Sequence, residues 1–194
     1  MRAVTRQVAF APGGWTPERR AKVAELFDSL APEWHTRDTP GREEPLLDAL
    51  ARGLDAVGRP STEPAGPCLE LGSGTGFTTP TLVERFTNVV AVDLAWEMLL
   101  RAPAEVAPRV QADAARLPFR NGSATAIVLV NALLFPDEVD RALAPAGVVV
   151  WVNTSGDRTP IYLSVADVAE ALPGSWDGVA AEAGWGTWGV LVRA

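Results

Sequence analysis

One cysteine, one histidine and one tyrosine occur in 194 residues, and a single lysine, Lys22, stands against sixteen arginines. With only Cys68, no internal disulfide can form, which suits a reducing cytoplasm. With only His35, no histidine pair is available to ligate a metal, and a Ser-His-Asp nucleophile would depend on that one imidazole. No apolar run nears the roughly 20 residues of a membrane span. Met1–Trp15 carries arginines with no continuous apolar stretch behind them, so neither membrane insertion nor a signal peptide is expected. Basic clusters are missing as well. A net charge of −7 with scattered arginines argues against nucleic acid as a partner, because phosphate binding needs positive charge gathered in one place.

What is present suits one soluble domain. Hydrophobic residues make up 47% and charged residues 21%, and a chain of this length buries roughly 70% of its unfolded surface. The central stretch is Cys68-Leu-Glu70-Leu-Gly72-Ser73-Gly74-Thr-Gly76-Phe77. An apolar run ending in a carboxylate breaks into three alternate glycines, and a helix start follows near Thr79-Pro80. That is the pattern of a buried parallel strand feeding a tight turn into a helix, where α/β folds bind nucleotides. Dinucleotide enzymes space their glycines G-x-G-x-x-G; here the third glycine comes one residue early.

Before this turn, Met1–Thr16 reads as a loose leader broken by Pro12-Gly13-Gly14. Thr16-Pro17 opens a helix to about Leu30, with Val23, Leu26, Phe27 and Leu30 at helical spacing. A second helix over 44–57 places Leu46, Leu47, Leu50 and Leu54 on one face, and Gly58–Pro67 reads as a linker. Strands are then expected at 67–71, 88–92, 109–112, 124–130 and 147–152, alternating with helices at 79–86, 95–101 and 136–143. Continuous apolar strands in such alternation predict a doubly wound, mostly parallel sheet covered on both faces. A last helix over 164–172 precedes two strands, 176–183 and 185–193, joined by Gly184 as an antiparallel hairpin. The expected organisation is a leader and helical lid over 1–60 and a core over 61–194, within one domain.

The acids recur at strand ends. Asp93 closes the second strand 23 positions after Glu70, where a carboxylate can accept both hydroxyls of a ribose; it can equally cap the helix that follows. Asp113 stands 20 positions later, after the third strand, and can accept from an exocyclic amine or simply close a turn. Asn131 follows the fourth strand at the same edge.

Taken in order, Glu70-Leu-Gly72-Ser-Gly74-Thr-Gly76, Val92-Asp93-Leu94 with Met98-Leu99, Ala112-Asp113-Ala114 with Leu117-Pro118-Phe119, and Leu143-Ala-Pro145-Ala-Gly147 resemble the class I S-adenosylmethionine-dependent methyltransferases. The resemblance is to the small-molecule group typified by ubiquinone/menaquinone-biosynthesis enzymes. It implies a Rossmann-like α/β fold, S-adenosylmethionine as cofactor with S-adenosylhomocysteine as product, and a small-molecule acceptor. It further implies that Glu70, Gly72, Ser73, Gly74 and Gly76 hold the methionine end and Asp93 the ribose. Leu94 and Met98 would pack on adenine, Asp113 and Ala114 would hold its amine, and the backbone at Asn131 would face the methionine amino group. Relatives often carry Ser-Phe-Asp where this chain has Ser123-Ala124-Thr125.

Catalysis is less legible. His35, in Trp34-His35-Thr36-Arg37, can serve as a general base if the lid brings it to the acceptor, or can be an ordinary surface histidine. Arg37 can bind an acidic substrate or simply stand solvated at the surface. Phe135, Trp151 and Tyr162 lie near the carboxyl edge and can line a pocket or fill the core, and Trp185 and Trp188 are expected to pack in the hairpin. A protein of this fold that binds the cofactor without methylating is the alternative.

Overall fold

The computed structural model describes residues 1–59 and 66–194, so most of the Gly58–Pro67 linker lies outside the described residues. Among them one sheet contains β1 (Cys68–Leu71), β2 (Val89–Asp93), β3 (Arg109–Gln111), β4 (Ala124–Val130), β5 (Leu143–Asn153), β6 (Trp176–Ala183) and β7 (Gly186–Arg193). The strand order is β3-β2-β1-β4-β5-β7-β6. β1 to β5 pair in parallel, while β7 runs antiparallel to both β5 and β6. The helices are α1 (Arg2–Phe10), α2 (Pro17–Leu30), α3 (Glu44–Asp48), α4 (Leu54–Ala56), α5 (Thr79–Arg85), α6 (Trp96–Arg101), α7 (Pro136–Ala142) and α8 (Val165–Ala171). A π-turn, Ala49–Gly53, joins α3 to α4.

Local chemistry sets the boundaries. The Thr16 hydroxyl accepts the Arg19 N–H at the head of α2, with Pro17 in the first turn. Ser164 and Asp167 form a reciprocal capping box on α8. The central strands are apolar on both faces because both are covered. Ile127 and Leu129 of β4 join Trp151, Leu163 and Val168 in one layer. Ala126 and Val128 join Leu46, Leu50, Leu54 and Trp188 in the other.

Three expectations change. Residues 2–10 are helical rather than loose: Thr5, Val8 and Ala9, at helical spacing, are buried, and Arg6 pairs with Asp167 of α8 at 2.9 Å. Leu47 is 48% exposed, on the flank of a stripe formed by Leu46, Leu50 and Leu54. That stripe packs against the sheet, with Asp48 accepting the indole N–H of Trp188 at 2.8 Å. Residues 44–56 therefore belong to the covering layer of the core, and the covering of the sheet's carboxyl edge comes from residues before them. Finally, Trp185 does not pack in the hairpin. It sits in the turn between β6 and β7 and is 73% exposed.

Candidate active site

β1 lies between β2 and β4, so successive crossovers leave it in opposite directions and open a crevice at its carboxyl end. The glycine turn fills the start of that crevice. Gly72, Gly74 and Gly76 take φ of 72°, 57° and 77°, a region that a Cβ disfavours. A Cβ on Gly74 would stand 3.8 Å from the indole nitrogen of Trp34, within the space a ligand needs. Gly76 faces elsewhere. It packs toward Ala102 and Pro103 and does not line the cavity, so its part is to seat the turn rather than to touch a ligand.

Glu70 is buried beneath the turn. Its carboxylate accepts from the hydroxyls of Thr78 and Thr79, the latter at 2.6 Å. Burial pushes its pKa up to about 7, against the pull of the two hydroxyls. Glu70 does not itself line the cavity; it fixes the head of α5, whose Thr78 does. Ser73, also buried on the cavity wall, has a hydroxyl with no partner.

Asp93 performs the cap that its sequence position allowed and more. One carboxylate oxygen accepts the Ala95 N–H at 2.8 Å, and the other accepts the Gly74 N–H at 2.7 Å, buckling the glycine turn to the start of α6. Burial raises its pKa, opposed by those two N–H groups. The carboxylate still lines the cavity, and each oxygen retains capacity to accept again.

Asp113 also lines the cavity, but its carboxylate is engaged. It accepts the Trp15 indole N–H at 3.0 and 3.1 Å and the Ala115 N–H at 2.9 Å, and it pairs with Arg20 at 3.1 Å. Trp15 meets Phe135 edge-on, with ring centroids 5.2 Å apart. Leu94, Met98 and Ala114 line the same cavity, as does Asn131. Asn131 takes φ 52°, which asparagine tolerates better than most residues. Its side chain is committed to Thr154, donating to the hydroxyl at 2.8 Å and accepting the N–H at 2.9 Å, which ties the ends of β4 and β5 together.

These residues converge on a cavity of about 540 Å³. Val23, Leu26, Phe27 and Leu30 of α2 line it from the N-terminal side. α2 has no fully buried residue, because much of its apolar stripe faces this space. Asp28 on the same helix accepts the Glu97 N–H of α6 at 2.8 Å, and Phe27, Leu30 and Trp34 pack on Ala31, Ala95 and Met98. His35 is not brought to the site: it is exposed in the 3-10 turn Ala31–Arg37, and only its neighbours Trp34 and Arg37 line the cavity. Trp151 is wholly buried, its indole donating to the Leu163 carbonyl at 3.1 Å, and Tyr162 lies under Arg2. The expected helical lid is thus supplied by α2, whereas the contacts of Trp15 and Arg20 escaped the sequence reading, since a tryptophan after two glycines carries no signal of what it will touch.

Residues 69–150 match the methyltransferase domain family. An uncharacterized methyltransferase of Mycobacterium tuberculosis is 37% identical over 137 residues, covering 60% of this chain and 56% of that protein. The demethylmenaquinone methyltransferase of Mycolicibacterium gilvum is 30% identical over 157 residues, covering 74% and 65% respectively. In sequence the chain is similar to the class I S-adenosylmethionine-dependent methyltransferases. It spans little more than half the length of the mycobacterial relative. In fold it is similar to DhpI in its complex with S-adenosylhomocysteine, at TM-score 0.67 and 22% identity, covering 90% of this chain and 97% of that one.

S-adenosylmethionine is the cofactor of such enzymes, and the cavity of this chain fits it. Gly74 leaves open the space a Cβ would take, the unpartnered Ser73 hydroxyl awaits a polar group, and Asp93 offers acceptors beside the turn. Acids around the turn suit a ligand that carries a sulfonium and an ammonium. The acid absent at Thr125 does not touch this site. Thr125 lies at the opposite end of β4 from Asn131, where its hydroxyl donates to the Pro67 carbonyl at 3.2 Å.

Proposed function

We propose that the chain transfers a methyl group from S-adenosylmethionine to a small-molecule acceptor. The observation that carries this reading is the convergence of the glycine turn, Asp93 and Asp113 on one cavity that continues beneath the apolar stripe of α2. When bound, the cofactor supplies an electrophilic methyl on sulfur, displaced in line by a nucleophile. The chain supplies the surroundings. Gly74 gives access to the main chain, Asp93 and the Ser73 hydroxyl offer hydrogen bonds, and Leu94 and Met98 present an apolar wall to a flat ring.

The residues of α2 and Trp34 wall the cavity on its N-terminal side, and holding two reactants at attack distance contributes roughly 7–11 kcal/mol in well-aligned intramolecular cases. No imidazole lines the cavity among the described residues. The acceptor therefore arrives with its lone pair free or is deprotonated by another group. The size of the space, beside a cofactor that must share it, favours a small molecule over a polymer.

The test is incubation of the purified chain with cell extract and methyl-labelled S-adenosylmethionine, followed by mass spectrometry. A labelled small molecule that depends on the protein supports the proposal. Label found only on protein or nucleic acid contradicts it.

A further inference from the structure

Three arginines line the same cavity, and they are not equivalent. Arg42 is paired with Asp38 at 2.6 Å and lies over Phe77. Arg37 lies over the Trp34 ring, 5.0 Å from its centroid, with the Trp34 indole nitrogen beside Gly74. There it would face the carboxylate of a cofactor whose methionine end lay on the glycine turn. Arg158 has no such claimant. It comes from the loop after β5, has no carboxylate partner among the described residues, and stands 5.9 Å from the centroid of Trp185. Trp185 is the most exposed large apolar side chain among the described residues, yet it too lines the cavity. A tryptophan left largely in water, with an unpaired guanidinium over its face at the edge of a cavity, is unexplained by packing or by the cofactor.

We propose that Arg158 and Trp185 form the binding site for the acceptor, and that the acceptor is a small anion with an apolar, preferably flat, body. Trp185 gives that body an aromatic face to lie against. Arg158 gives a carboxylate, phosphate or phosphonate a forked donor. The apolar residues of α2 cover the remainder. Charge supports the choice: a cationic acceptor would meet Arg158 and the cofactor's sulfonium together, whereas an anion is drawn by both. This inference rests on the methyltransferase reading and assigns its acceptor end.

The experiment uses the whole chain saturated with S-adenosylhomocysteine and titrated calorimetrically with benzoate, phenylphosphonate and the uncharged benzamide. Benzoate or phenylphosphonate is expected to bind at least about tenfold tighter than benzamide. That preference should vanish in Arg158→Gln, and all three should weaken in Trp185→Ala. Both side chains are exposed, and unchanged affinity for S-adenosylhomocysteine in each variant serves as the folding control. Equal binding of benzamide and benzoate, a preference that survives Arg158→Gln, or no binding of any probe at about 10 mM overturns the proposal. Failure of S-adenosylhomocysteine itself to bind the wild-type chain would instead remove the reading on which it rests.

Discussion

Burial makes the fold resist the ionisation of Glu70. Its folded pKa of about 7 lies above the 4.5 of the free side chain. Between those values the folded chain holds a proton that the unfolded chain releases, so stability falls as pH rises through this window. At about 1.4 kcal/mol per unit, the loss is on the order of 3 kcal/mol above the folded pKa. Thermal unfolding from about pH 5 to pH 8 should therefore decline more steeply for wild type than for Glu70→Gln; parallel profiles would contradict the assignment. For Asp93→Asn we expect affinity for S-adenosylhomocysteine to fall by about 1–3 kcal/mol, the scale of a hydrogen bond to a charged group, with the fold retained. Calorimetry giving an unchanged constant would remove the cofactor role from this carboxylate. His35→Ala should leave turnover within about twofold, since the imidazole does not reach the cavity; a loss of orders of magnitude would show that the 3-10 turn moves. The acids at strand ends were legible from sequence because strand, carboxylate and turn recur at fixed spacing. What Asp113 would bind was not, since its partner Trp15 lies 98 positions away and no periodicity links them.

At the scale of elements, α2 and the α3–α4 helix look alike in sequence, each an apolar stripe on a charged background, but they face different things. The stripe of α3–α4 meets the sheet. Its closest approach is at Gly53, where a Cβ would come within 2.6 Å of the Val190 side chain and 2.7 Å of the Trp188 ring. Gly53→Ala should therefore destabilise by about 1–3 kcal/mol through overpacking, read from a denaturant midpoint without change in activity per folded molecule. A neutral substitution would mean that the helix can slide on β7. The stripe of α2 faces the cavity, which is why none of its residues is fully buried. Ligand in that space should close the helix down. Amide exchange in α2 should slow by up to about a hundredfold with S-adenosylhomocysteine near 100 times its dissociation constant, if opening requires the ligand to leave. Unchanged exchange would mean that α2 does not cover the cofactor. Periodicity showed that both segments are helices; it could not show which one has a cavity for a neighbour. The helix at residues 2–10 was missed for a related reason, since its buried residues Thr5, Val8 and Ala9 include a threonine and an alanine and make no strong apolar pattern.

For the whole molecule, the order of strands and helices and the closing hairpin follow from the sequence, because each central strand is apolar on both faces; the largest boundary shift is at β5, which begins at Leu143 rather than at 147. The order β3-β2-β1-β4-β5-β7-β6 then places the ends of β1, β2 and β4 around one crevice. The glycine turn, Asp93 and Asn131 meet there although the chain separates them widely. Covering by Trp15 and α2 turns the crevice into a cavity, and the ion pair of Arg20 with Asp113 ties α2 to its rim. No helix among the described residues is long and apolar enough to cross a membrane. A cavity built for S-adenosylmethionine and not for a dinucleotide should tell the two ligands apart in calorimetric titrations of the whole chain with S-adenosylhomocysteine and, separately, with NAD. One site for S-adenosylhomocysteine and none for NAD is expected; binding of NAD alone would show that the cavity belongs to a dinucleotide.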